Sequence, residues 1–151
     1  MHDTNHLHLI AKDLTKDFPR SPRELMAGYV IAARCVDKCR SVLADKGGEY
    51  HSGCPLDEIW LNFVEIEYDE FKEFIVTGAT DEEVEKWIQE KAKPREQIEI
   101  IKWNNEWRGK RLSECPDMIQ EFMEGYVQEF IPRNRPVYVL FDIYDLEEQR
   151  I

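Results

Sequence analysis

Apolar residues recur at three- and four-residue intervals over most of this chain, and that spacing predicts helices almost throughout. The clearest stripe is Ile119, Phe122, Met123, Tyr126, Val127, Phe130 and Ile131, with Pro116 near its start and Pro132 after it. Thr80-Asp81-Glu82-Glu83 is the clearest start signal: Thr80 takes the capping position, Glu83 closes a capping box, and the acidic residues face the positive helix end. Val84, Trp87 and Ile88 form the buried side of that helix, and Pro94 ends it. Further upstream, Leu25, Met26, Tyr29, Val30, Ala33, Val36, Val42 and Leu43 predict a long first helix from Arg23 to about Asp45. Ser21 is its expected cap, Pro22 its first helical residue, and Gly47-Gly48 its stop. Pro55 opens a shorter helix carrying Ile59, Trp60, Phe63 and Val64, and Tyr68, Phe71, Phe74 and Ile75 form the next, closed by Gly78.

Two segments read both ways. In 97–103, Ile98 and Ile100 alternate as in a strand, while Ile100, Trp103 and Trp107 keep helical spacing. In 137–144, strand-preferring residues dominate, yet Val137, Leu140, Phe141 and Tyr144 share one helical face after Pro136. The sum is a mainly α fold: residues 1–21 as an extended N-terminal arm, then a single compact helical domain over 22–151 with about five to seven helices. The alternative is α+β, with a two-stranded element from 97–103 and 137–144.

Composition narrows the partners. At 151 residues and 42% hydrophobic, the chain has the size and apolar content of one ordinary globular domain. Its 31 acidic against 20 basic residues give a net charge of −11, a field that repels nucleic acid and anionic membranes. No apolar run is long enough to span a bilayer, and Met1 to Lys16 lacks the apolar core of a signal peptide, so a soluble cytoplasmic protein is expected. Four cysteines are too few for a secreted disulfide scaffold, and reduced thiols are expected.

Candidate chemistry concentrates in residues 47–57, Gly47-Gly48-Glu49-Tyr50-His51-Ser52-Gly53-Cys54-Pro55-Leu56-Asp57, a turn-forming stretch between two helical patterns. Its Gly48-Glu49-Tyr50-His51 and Cys54-Pro55-Leu56-Asp57, together with Asp13-Leu14-Thr15, Ser21-Pro22-Arg23, Leu25, Gly28-Tyr29, Arg34, Asp37-Lys38, Arg40, Gly78-Ala79-Thr80-Asp81-Glu82-Glu83 and Trp87, form a pattern that resembles a small bacterial family of domains of unknown function. The resemblance covers most of residues 13–90 and implies a mainly helical, cytoplasmic bacterial domain. It implies no activity and no catalytic residue, and Cys35 and Cys39 stand outside its pattern. No complete catalytic motif, phosphate loop or metal signature accompanies it, so no cofactor is assigned.

The residues themselves support several readings. The first is a binding site for a small anionic or zwitterionic ligand, or for a protein segment, built from Arg34, Asp37, Lys38, Tyr50, His51 and Cys54. Arg34 and Lys38 would recognise charge, Asp37 would orient them, and Tyr50 and His51 would supply walls and hydrogen bonds. Against it stands a surface ion-pair network worth at most about 1 kcal/mol. A second reading makes Cys54 a nucleophile with His51 as base and Glu49 or Asp57 as the third group. A third gathers Cys35, Cys39, His51 and Cys54 around a metal, with His2, His6 and His8 as a weaker set, against cysteines packed as small hydrophobes. The last is an interaction module, with Trp103 and Trp107 as the exposed pair beside core Trp60 and Trp87, or homodimerisation through the 116–131 helix.

Overall fold

The computed structural model describes residues 4–151. Among them are eight α-helices and no strand: α1 (Thr4–Ile10), α2 (Ala32–Leu43), α3 (Pro55–Val64), α4 (Tyr68–Ile75), α5 (Asp81–Lys91), α6 (Gln97–Arg108), α7 (Asp117–Phe130) and α8 (Leu140–Glu147). A short 3-10 turn, Leu112–Glu114, precedes α7. The fold is mainly α, and the ambiguous segments are helical over 97–103 and 140–144. Residues 97–103 lie in α6, and the second segment becomes α8 because Asp142 accepts the backbone N–H groups of Tyr138 (3.0 Å) and Val139 (3.1 Å). That carboxylate satisfies donors that a helix start leaves orphaned, which a strand at the same residues would not need. No helix among the described residues is long and apolar enough to cross a membrane.

The chain divides into two compact units, the first ending at Arg95 and the second running from Glu96 to Ile151. In the first, α2 packs on α1, α3 and α4, and Trp60, Phe71, Ile75, Ile88, Val30 and Val36 are almost wholly buried. Aromatic rings hold this core together: Trp60 meets Phe71 edge-on at 5.6 Å, and Phe74 stacks on Trp87 at 4.7 Å. The capping box at α5 forms as the sequence predicts, with Thr80 Oγ1 accepting from Glu83 N and Glu83 Oε1 accepting from Thr80 N. In the second unit α6 packs on α8, with Leu140, Phe141 and Ile143 fully buried.

Two local expectations change. The first long helix starts at Ala32, not after Ser21. Ala27 (φ 54°) and Gly28 (φ 91°) reverse the chain between Met26 and Tyr29, whose backbones exchange two hydrogen bonds of 3.0 Å. Two consecutive left-handed residues stop any right-handed helix, so the apolar spacing of 25–30 serves a tight turn instead. The N-terminal segment also departs from an extended arm. Residues 4–10 are helical, and Leu7, Ala11 and Leu14 are buried, the first two packing with Ala44. The reason is visible in the spacing of Leu7, Ile10, Ala11 and Leu14, which places an apolar stripe among the polar residues of the segment.

Candidate functional site

Helix α2 is buried on nearly every side, yet it carries Arg34, Asp37, Lys38, Arg40 and Ser41 into that interior. Buried charges persist only when paired, and here the pairing divides into two networks. The first is built on Asp37. Its carboxylate takes the backbone N–H (2.8 Å), Nε (3.0 Å) and Nη2 (2.9 Å) of Arg20, with Lys12 Nζ at 3.6 Å. Arg20 continues to Asp81 at 3.0 Å, where Arg40 arrives from α2 at 2.8 Å. Arg40 also donates to the carbonyl of Ala79 at 2.8 Å. This network ties the segment before α2, α2 itself and the first turn of α5 into one piece.

The second network lies under the 47–57 loop. Asp57, in the first turn of α3 and 2% exposed, accepts from Lys38 Nζ (2.9 Å), from the Cys35 thiol (3.1 Å) and from the backbone N–H of Gly53 (2.9 Å). Lys38 Nζ also donates to Cys54 Sγ at 3.0 Å. Cys54 is the N-cap residue of α3 and is half-buried, so it is the point at which this buried cluster reaches solvent. Gly53 turns the loop with φ 76°, where a side chain is strained, and a Cβ there would crowd the Tyr68 ring at 3.2 Å. The Tyr68 hydroxyl then anchors the loop by donating to Ser52 Oγ at 2.8 Å.

Electrostatics follow from this packing. Burial alone pushes the Lys38 pKa down, but the Asp57 carboxylate and the Cys54 and Cys35 sulfurs hold it above the ordinary lysine value, so Lys38 is an ammonium. Burial, reinforced by the Asp57 charge, pushes the Cys35 thiol well above its usual range. Cys39, one turn on, is pushed up to about 11, chiefly by burial, with a hydrogen bond to Ser52 working against the rise. Both α2 thiols are therefore neutral near pH 7.

The six residues singled out in the sequence divide between these surroundings. Lys38 and Cys54 meet directly, whereas Asp37 does not orient Arg34 and Lys38; it is occupied by Arg20 and Lys12. Arg34 is buried, donates to the carbonyl of Arg20 at 3.3 Å, and lies 5.8 Å from the centre of the Tyr50 ring. His51 is exposed, and the side chain that contacts Cys54 Sγ is Lys38. The sequence reading missed Arg20 and gave Asp57 too small a part. The available signal was positional: Asp57 falls at the third residue of a proline-started helix, where a carboxylate meets free backbone N–H groups.

The metal reading has a clear geometric rival. Cys54 and Asp57 converge on one point, and the Lys38 ammonium occupies it, while the Cys35 thiol is spent on Asp57. Among the described residues no group of three or more His, Cys, Asp or Glu side chains is placed to hold a metal ion. In the N-terminal set, His6 Nδ1 bonds to the carbonyl of Gly78 and His8 is exposed, while His2 lies outside the described residues. The tryptophans are also redistributed: Trp60 and Trp107 are buried, and Trp103 and Trp87 are half-buried. The exposed large apolar side chains of the second unit include Met118 (68%), Phe122 (64%) and Phe130 (45%), all on one face of α7.

The model of one family, a domain of unknown function (DUF5069), matches residues 16–150. No curated protein matches the chain.

Two outcomes follow from the buried cluster. Asp57→Ala leaves the Lys38 ammonium without its carboxylate in the interior and costs about 3–5 kcal/mol in urea unfolding. Adding Lys38→Met to that background recovers a large part of the loss, because the uncompensated charge is gone. Stability also falls as pH rises from about 8.5, where unfolded thiols begin to ionise while the folded state still holds those protons, so the unfolded state binds fewer of them. Cys35→Ala, which removes one such thiol, gives a shallower decline in unfolding midpoints between neutral and alkaline pH.

Proposed function

The chain belongs to that family, whose description names no activity, and from the Lys38 cluster we propose that Cys54 is the nucleophile of a thiol-dependent enzyme site acting on a small anionic or zwitterionic substrate. The observation that carries this reading is the 3.0 Å contact between Cys54 Sγ and the buried Lys38 ammonium. A nucleophile, a charge partner within hydrogen-bond reach and a third group that fixes the partner make the generalised triad arrangement, here Cys54, Lys38 and Asp57. Lys38 works as a cation and proton donor and not as a base, since its proton is held by Asp57. Asp57 is a positioning residue.

The substrate class follows from what surrounds the sulfur. Cys54 stands at the N-terminus of α3, where backbone N–H groups favour negative charge. Arg34 lies one helical turn from Lys38, beneath Tyr50. An anionic group arriving beside Cys54 meets the Lys38 ammonium on one side and the backbone N–H groups of the helix start on the other. A reducing compartment, the cytoplasm, suits a working thiol.

One further observation favours a second reading, self-association. Met118, Phe122 and Phe130 expose a continuous apolar face along α7, larger than single scattered side chains need. Tyr126 lies between Phe122 and Phe130, with ring centres 5.6 and 4.7 Å away. Burying such a face against a second copy, or against another protein, removes it from water.

The thiol reading is tested by alkylation with iodoacetamide, followed site by site by mass spectrometry. Cys54 is expected to react at least about ten times faster than free cysteine at pH 7, to slow by a similar factor in Lys38→Met, and to be unaffected by His51→Ala. A Cys54 rate equal to that of free cysteine removes the reading. For self-association, sedimentation velocity is expected to show a concentration-dependent dimer that Phe122→Glu converts to monomer; a wild-type monomer at every concentration removes it.

A further inference from the structure

Cys54 is half-buried, and its sulfur has a nitrogen, Lys38 Nζ, at 3.0 Å. Lys38 is itself 5% exposed and fixed by Asp57 at 2.9 Å, so this amine has no freedom to leave the thiol. From this juxtaposition we infer that Cys54 is a peroxide-reactive site at which oxidation links its sulfur covalently to Lys38 Nζ. The inference rests on the thiol reading above and names the oxidant class and the product.

The chemistry uses groups already in contact. The Cys54 thiolate attacks the near oxygen of hydrogen peroxide; an S–O bond forms, the O–O bond breaks, and the departing hydroxide takes a proton from the Lys38 ammonium and leaves as water. The same proton transfer converts Lys38 from a cation with no lone pair into a neutral amine beside the new sulfenic acid. The amine nitrogen then attacks sulfur, an S–N bond replaces the S–O bond, and a second water leaves with one amine proton. The balance is one thiolate, one ammonium and one peroxide giving one sulfenamide and two waters, a two-electron oxidation of sulfur that a thiol reductant reverses. Sulfenic acids condense in this way with a nearby nitrogen or with a nearby thiol. The thiol available here, Cys35, keeps its proton through burial and Asp57, and it reaches the cluster only through that carboxylate. Once Lys38 has given up its proton, the amine is the closer and better nucleophile.

Closing the bridge removes the buried cation that Asp57 was holding. The carboxylate is left with the Cys35 thiol and the Gly53 N–H, so oxidation is expected to loosen the 47–57 loop. The site is thereby both the place of reaction and the element that responds to it.

The test treats the full chain with a small excess of hydrogen peroxide and measures intact mass, then digests it with trypsin without reduction. The bridge lowers the mass by about 2 Da, and thiol reductant restores it. Fragmentation then places the link between Lys38 in peptide 35–40 and Cys54 in peptide 47–72, with trypsin no longer cutting after Lys38. This reading of the wild-type chain needs no variant. Lys38→Arg and Cys54→Ser abolish the change, and Cys35→Ser keeps it. A mass loss that disappears in Cys35→Ser and persists in Lys38→Arg is a disulfide and overturns the inference. So do an unchanged mass and a gain of oxygen on Cys54 with Lys38 free. Fast alkylation of Cys54 in untreated protein with no bridge after peroxide sinks this inference alone, whereas slow alkylation sinks the thiol reading beneath it.

Discussion

A single carboxylate, Asp57, holds the loop, the central helix and the Lys38–Cys54 contact in one arrangement. At 2% exposure it accepts from an ammonium on α2, a thiol one turn earlier on the same helix, and a backbone N–H of the loop. Taking a carboxylate and an ammonium out of water is costly, and their attraction offsets the cost only when geometry is good and remaining lone pairs are filled. Those conditions hold here, since both oxygens of Asp57 are occupied at about 3 Å. A buried pair of this kind adds little net stability over an apolar core. It does fix where Lys38 Nζ sits, and thereby what Cys54 touches.

The Asp37 network does different work with the same ingredients. Arg20 grips Asp37 through its backbone N–H and the Nε–Nη2 edge of its guanidinium and extends to Asp81, which Arg40 also reaches. Asp81 stays partly exposed, so the pairs with it are screened and individually weak. Their value lies in register: the segment that reverses at Ala27-Gly28 returns to α2, and Arg20 fixes where it lands. This spends Asp37 on architecture and leaves Lys38, on the neighbouring face, to the loop.

The fold was largely legible because helices announce themselves locally. The capping box at Thr80, the proline before α3, the stripe of α7 and the helical spacing of α6 each depend on residues within a few positions of one another. Where local signals misled, a local conformation had been misread. Leu25 to Val30 keep helical spacing, but Ala27 and Gly28 take positive φ. Leu7, Ile10, Ala11 and Leu14 carry a true helical stripe that three histidines in the same segment obscured. In the candidate site, residue types were legible and partners were not. Arg34 and Lys38 share a face by spacing alone, whereas Arg20 reaches Asp37 across seventeen residues and Lys38 reaches Cys54 across sixteen.

By itself the sequence determined a mainly helical chain with a formal net charge of −11, most of its helix boundaries, and a polar, glycine-rich stretch between two helices. These follow from composition and from contacts between residues close along the chain, where spacing and geometry are the same thing. Only the tertiary structure decided that Cys54 meets a lysine while His51 faces solvent, that Asp37 and Asp57 serve separate cations, and that a lysine ammonium sits where cysteine and aspartate side chains converge. Those outcomes depend on how α2 is buried and on which charges then have to find each other. A buried charge takes the partner that packing brings within reach, and sequence distance does not measure that reach.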